Sequence, residues 1–266
     1  MTRLGLPILL TLLASGCIVV DGDPFGGELT TETARLTFDG ELDTVTFDVG
    51  SGTFELRQAD VDVVTVERTT RWRNEPPVLT AQLEGGTLTL SAVCEGFALS
   101  CGADHVVLVP LAVMVEGETG SGDIHVTGAS EVDLATGSGS IQLSNVAGDV
   151  FAESGSGDLT IDGAAGDLVL ETGSGSIRGL DLNVRTLLAG TGSGDVNLSF
   201  TDEPLLVDVA TGSGSVGFDV PSGEYDIDLA TGSGSITLIG VVNHEQCEAT
   251  LRAETGSGDI RVIGTP

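Results

Sequence analysis

The chain has 266 residues and 27.0 kDa, with 40 acidic residues against 10 basic ones, a formal net charge of −30 and a pI near 4.1. A surface this acidic repels polyanions, which proteins grip with Lys and Arg, so nucleic-acid binding is excluded; all the basic residues are Arg, which also removes Schiff-base and phosphate-loop lysine chemistry. Hydrophobic residues make up 40% but aromatics only 4%, and the apolar content is Val, Leu, Ile and Ala, as suits a narrow β interior.

Residues 1–16 read as a secretory signal: Arg3 is the positive end, Leu4 to Leu13 the apolar run, and Ala14-Ser15-Gly16 the small-residue cleavage site. Cys17 follows at once, and Leu13-Ala14-Ser15-Gly16-Cys17 resembles the lipobox of bacterial lipoproteins. That resemblance implies a diacylated Cys17 as the mature N-terminus and a membrane partner held through lipid. By the same likeness, Ile18 and Val19 in place of Asp imply the outer membrane of a Gram-negative cell. Residues 17–38, rich in Gly, Thr and acids, are expected to form a flexible tether.

Residues 39–116 are strand-like without a strict repeat. Val45, Phe47 and Val49 alternate before Gly50-Ser51-Gly52, and Leu88 and Leu90 alternate before Ser91, so an irregular β region is expected to start the stack formed by the downstream repeats and to cover its first coil. Arg68, Arg71, Trp72 and Arg73 form the one basic cluster. Arg71, Trp72 and Arg73 either stack on a sugar ring or anionic polymer, or form a solvated strand face that blunts a sheet edge; the second is expected. Export implies an oxidising compartment, which makes Cys94 and Cys101 candidates for a disulfide. Cys247 is then left over, expected as a buried thiol; His244 nearby has metal-like spacing without further ligands, and no metal site is expected.

Residues 117–266 are a repeat. A hydroxyl residue followed by Gly-Ser-Gly recurs at Gly120, Gly137, Gly155, Gly173, Gly192, Gly212, Gly232 and Gly256, at intervals of 17 to 20 residues and 24 at the last. A short alternating strand follows each turn, as Ile124/Val126 and Ile141/Leu143, and another precedes it, as Val132/Leu134 and Val150/Ala152. A unit that cannot bury its own inner face must stack on its neighbours, so the expectation is an all-β, single-chain parallel β-solenoid, β-helix-like, with an irregular N-terminal β cap. Inner hydroxyls are expected to hydrogen-bond along the axis, and the corner glycines to supply positive φ. The residue after each turn runs Asp123, Ser140, Asp158, Ser176, Asp195, Ser215, Ser235, Asp259, so no two successive units carry Asp. Carboxylates about 4.8 Å apart repel, so this spacing argues against a calcium ladder. Three residues before each corner hydroxyl the outward position is charged, except at Phe151, Val169 and Leu188. This apolar stripe is either a binding face or the seat of a covering segment, and covering is expected. The last unit, near Ile260 to Ile263, is expected to end the stack with an open edge.

Thr46-Phe47-Asp48-Val49-Gly50-Ser51-Gly52, the apolar run Val106 to Gly122 with its proline, and the serial Thr-Gly-Ser-Gly turns together resemble the bacterial putative-adhesin, toastrack-like family of cell-envelope proteins over roughly residues 40 to 264. The resemblance implies a role in adhesion or envelope-stress sensing and carries over no catalytic residue. No Gly-x-Ser-x-Gly elbow, His-Glu-x-x-His or Walker loop occurs, and Arg178, Arg185, Arg252 and Arg261 do not all recur at one position of the repeat. The expectation is therefore a non-enzymatic lipoprotein without cofactors. It presents an acidic β-solenoid to an envelope protein or polysaccharide, or else acts as a periplasmic sensor or scaffold.

Overall fold

The computed structural model describes residues 19–23, 26–94 and 101–266, so the signal, Cys17 and most of the loop between Cys94 and Cys101 lie outside it. Among the described residues there are 23 strands and no helix. The chain opens with β1 (Val19–Asp23) and β2 (Gly26–Phe38), runs through β3 (Thr44–Val49) and β4 (Phe54–Gln58), then through β5 (Val64–Arg73), β6 (Val78–Glu84), β7 (Thr87–Val93) and β8 (Cys101–Val109). Next come β9 (Met114–Thr119), β10 (Ile124–Ala129), β11 (Glu131–Thr136), β12 (Ile141–Val146), β13 (Val150–Ser154), β14 (Leu159–Thr172), β15 (Ile177–Thr191) and β16 (Val196–Phe200). The last are β17 (Leu206–Thr211), β18 (Val216–Pro221), β19 (Gly223–Thr231), β20 (Ile236–Ile239), β21 (Val241–Asn243), β22 (Thr250–Thr255) and β23 (Ile260–Thr265).

Strands before the glycine turns form one parallel ladder, in the spatial order β7, β3, β9, β11, β13, β14, β15, β17, β22, β19. Strands after the turns form a second: β8, β4, β10, β12, β14, β15, β16, β18, β23, β20. Each ladder therefore has ten described strands, and nine steps of about 4.8 Å give an axis of roughly 43 Å. Residues 44–58 and 87–109 start the stack, adding two coils to both ladders ahead of the coil of β9 and β10.

The order of the coils departs from the order of the chain at both ends. The coil of β3 and β4 lies inside that of β7 and β8, which is made later in the sequence. At the other end β22 pairs with both β17 and β19, and β23 with both β18 and β20. Ile260–Ile263 is thus interior, and the open edge belongs to β20, where Ile236, Leu238 and Ile239 are 45%, 42% and 51% exposed.

The core is a set of stacked columns. Leu88, Val45, Val115, Val132, Val150, Leu168, Leu187, Val207, Leu251 and Ile227 form one, all buried and all in register. Phe47 and Phe54 stack with ring centroids 3.7 Å apart, and Phe47 occupies the space that a side chain at Gly117 would need.

The corners explain the repeat. Thr136 Oγ1 donates to the Gly122 carbonyl of the preceding coil (3.1 Å) and accepts from its own Gly139 N–H (3.0 Å); Ser154 and Thr172 do the same with Gly139 and Gly157, and with Gly157 and Gly175. The hydroxyls thus bond to the turns above and below rather than to one another. Nor is positive φ the reason for the glycines: among these corners only Gly52 and Gly258 adopt it. A Cβ at Gly139, Gly157 or Gly175 would instead lie inside the carbonyl oxygen of the preceding corner, so close stacking of bare backbone excludes side chains.

The N-terminal end is covered by antiparallel strands: β2 and β8 flank β5, and β6 folds back on β7. Residues 26–38, expected as part of the tether, are strand β2, because Leu36 and Phe38 alternate into the core against Val66 and Val64. Cys94 and Cys101, seven positions apart, are bridged between β7 and β8, with Cα atoms 6.0 Å apart.

Candidate functional site

Phe151, Val169 and Leu188 stand side by side on adjacent strands of the first ladder. Among the described residues no segment lies over them: Phe151 is 39% and Leu188 40% exposed, and Val169 is half-buried between them. The expected covering segments are elsewhere, since β1 and β2 join the second ladder through β5, at the N-terminal end. The column is bounded by Glu116 and Asp133 on one side and by Asp208, Arg252 and Asp228 on the other. Two residues along the same strands, Glu153 and Glu171 are exposed and Gly190 leaves a notch, forming a shallow groove of about 350 Å³ beside the apolar column. The face offers apolar contact next to two carboxylates.

Arg71, Trp72 and Arg73 are not part of it. They lie on β5, which has a partner on each side and blunts no edge. Arg71 ion-pairs with Asp104 at 2.5 Å, Trp72 is half-buried opposite Cys101, and Arg73 is also engaged. The cluster is better explained as part of the cap.

Three features were missed from the sequence. On the outer face of the second ladder Arg178, Asn197, Gly217 and Arg261 share one column, because β23 takes the place after β18. Their groove, about 500 Å³, also carries Ser199 and Asp219. The Asp and Ser that follow each turn alternate strictly in space: Asp104, Thr53, Asp123, Ser140, Asp158, Ser176, Asp195, Ser215, Asp259, Ser235. Every hydroxyl residue donates its backbone N–H to the carboxylate of the preceding coil, as Ser140 to Asp123 and Ser235 to Asp259, both 2.8 Å, and Thr53 to Asp104 at 3.0 Å. The acids are thus caps for the next coil as well as mutually spaced. Third, Glu224 of β19 joins His244 and Cys247: His244 Nδ1 is 3.5 Å from Glu224 Oε2 and 3.4 Å from Cys247 Sγ. Cys247 is half-exposed rather than buried. Desolvation, followed by the carboxylates of Glu224, Glu203 and Asp226, holds its thiol above the ordinary range, which makes it a poor nucleophile at neutral pH.

A family model, Toastrack DUF4097, matches residues 42–263, from just before β3 into β23. The chain belongs to the Toastrack DUF4097 family. Two solved structures share this Toastrack fold. A putative adhesin from Bacteroides fragilis is 15% identical, covers 88% of this chain and 96% of its own, and superposes with a TM-score of 0.53. A putative lipid binding protein from Parabacteroides distasonis is 16% identical, covers 87% and 96%, and gives 0.52. No curated protein matches the chain.

Proposed function

We propose that this Toastrack protein is a non-enzymatic cell-envelope lipoprotein, anchored through Cys17, whose two ladders form a rigid parallel β-solenoid that presents the Phe151–Val169–Leu188 face to an adhesion partner. The observation that carries the reading is that this stripe is uncovered on an otherwise charged column. Its neighbours Glu153 and Glu171, on a chain of net charge −30, suit a partner segment that is both apolar and cationic, such as a basic stretch of another envelope protein. The Cys94–Cys101 bridge accords with an exported protein. No role here calls for a general acid, base or nucleophile.

The test is protease shaving of intact cells that produce the wild-type chain or Cys17→Ala, followed by fractionation, with Phe151→Asp/Leu188→Asp compared for binding to isolated envelopes. Surface-accessible, membrane-bound wild type, soluble Cys17→Ala and at least tenfold weaker binding by the double variant are expected. A membrane-bound but protected chain would move the protein to the periplasm as a scaffold, and unchanged binding would remove the stripe as its contact.

A further inference from the structure

Glu224, His244 and Cys247 come from two places in the chain and meet at the C-terminal end of the molecule, beside the open coil. Glu224 is on β19; His244 and Cys247 lie in the turn after β21, closed by Cys247 N–H on the His244 carbonyl (3.0 Å). The turn is tied to β19 a second time through His244 N–H on the Tyr225 carbonyl, 2.8 Å. One donor atom from each of the three side chains lies within 4.8 Å of the other two. A thiolate, an imidazole and a carboxylate form the mixed donor set that zinc accepts, and the soft sulfur disfavours calcium and magnesium.

Two of the three separations are compatible with a shared ion. For tetrahedral zinc with bonds of about 2.3 Å to sulfur and about 2.0 Å to nitrogen and oxygen, the sulfur and nitrogen stand about 3.5 Å apart and the nitrogen and oxygen about 3.3 Å. The corresponding separations here are 3.4 and 3.5 Å. Glu203 and Asp226 add negative potential around the thiol, which draws a cation in.

We propose that Glu224, His244 and Cys247 form a zinc site that fastens the terminal turn to β19. On binding, the Cys247 thiol gives its proton to solvent, the thiolate and the neutral imidazole Nδ1 each donate an electron pair to the ion, and Glu224 supplies a carboxylate oxygen; water completes the shell. The site is structural in this reading, because it sits on the coil of β19 and β20, which ends both ladders.

The experiment is calorimetric titration of the purified full chain with zinc chloride, repeated with Cys247→Ser, His244→Ala and Glu224→Gln. Cobalt(II) absorption serves as a second readout, since a thiolate-to-cobalt charge-transfer band reports sulfur ligation directly. Expected are one strong site per chain, at least a tenfold loss of affinity in Cys247→Ser and in His244→Ala, a smaller loss in Glu224→Gln, and a charge-transfer band that disappears only with Cys247. All three side chains are at the surface, so the variants should melt with wild type in chelator, which separates lost ligation from lost folding. Absence of a strong site, or a site and band unaltered by Cys247→Ser, overturns the proposal.

Discussion

The corner hydroxyl is the smallest unit on which this fold depends. Thr172 is 6% exposed, donates to the Gly157 carbonyl at 2.9 Å and accepts from the Gly175 N–H at 3.2 Å, so it serves two coils at once. Thr172→Val keeps the shape and leaves both backbone groups buried without a partner; a loss of about 2 kcal/mol is expected from urea unfolding. A loss under about 0.5 kcal/mol would mean that water or a relaxed turn supplies the missing partners. His105 tests the other kind of buried polar group. It occupies an inward position paired with Phe54, is 1% exposed, and among the described residues neither ring nitrogen finds a hydrogen-bond partner. Burial first, and the Arg68 charge second, lower its pKa from 6.5 to about 4. Between those values the unfolded chain takes up a proton that the folded chain refuses, so His105 weakens the fold progressively as pH falls from about 6.5 to about 4, by about 2 kcal/mol at pH 5. His105→Leu removes that contribution. Comparison of urea midpoints at pH 7 and pH 5 should show wild type losing about 2 kcal/mol more than the variant, and equal losses would place the imidazole in contact with water.

At the level of strands and coils, the coil made last in the chain, β22 and β23, is the element that matters most. Strands β22 and β23 each have a neighbour on both sides, whereas β19 and β20, earlier in sequence, hold the end position. Removal of residues 250–266 therefore deprives the β19–β20 coil of its only parallel neighbours in the two ladders. Hydrogen exchange of the shortened chain is expected to show protection lost throughout 223–243 and retained up to β16; protection of 223–243 at the wild-type level would mean that β19 and β20 can close directly onto β17 and β18. The corners and inner columns were legible in the sequence because each is written locally, in one hydroxyl, two glycines and two alternations. The coil order was not, since register between coils is a tertiary property. A clue existed nonetheless: in sequence order Ser215 and Ser235 break an otherwise regular alternation of Asp and hydroxyl, and placing Asp259 between them restores it. The stripe could be read as residues, but not as uncovered, because that depended on where β2 goes. Glu224 was missed as a companion of His244 and Cys247 because it lies far upstream of them.

For the molecule as a whole, charge sets the conditions under which the fold stands. A net charge of −30 is spread over a body roughly 43 Å along its axis, and ion pairs such as Arg71 with Asp104 or Arg57 with Glu55 are few among so many acids. Self-repulsion then outweighs the attraction that salt would weaken, so the melting temperature is expected to rise between about 0.01 and 0.15 M sodium chloride as the screening length shortens from about 30 to about 8 Å. A fall over that range in differential scanning calorimetry would show that attractive pairs dominate instead.

The interleaved order of the last coils also bears on how the protein is made. A chain delivered amino end first can stack its coils as they emerge as far as β18, but the place next to β18 must then be left for a segment that arrives last. The β19–β20 coil, although already delivered, waits for residues 250–265 before it has a strand of either ladder to lie against. Completion of the fold is thereby tied to arrival of the carboxyl end, and a prematurely ended chain carries an unfinished terminus that quality-control proteases can recognise.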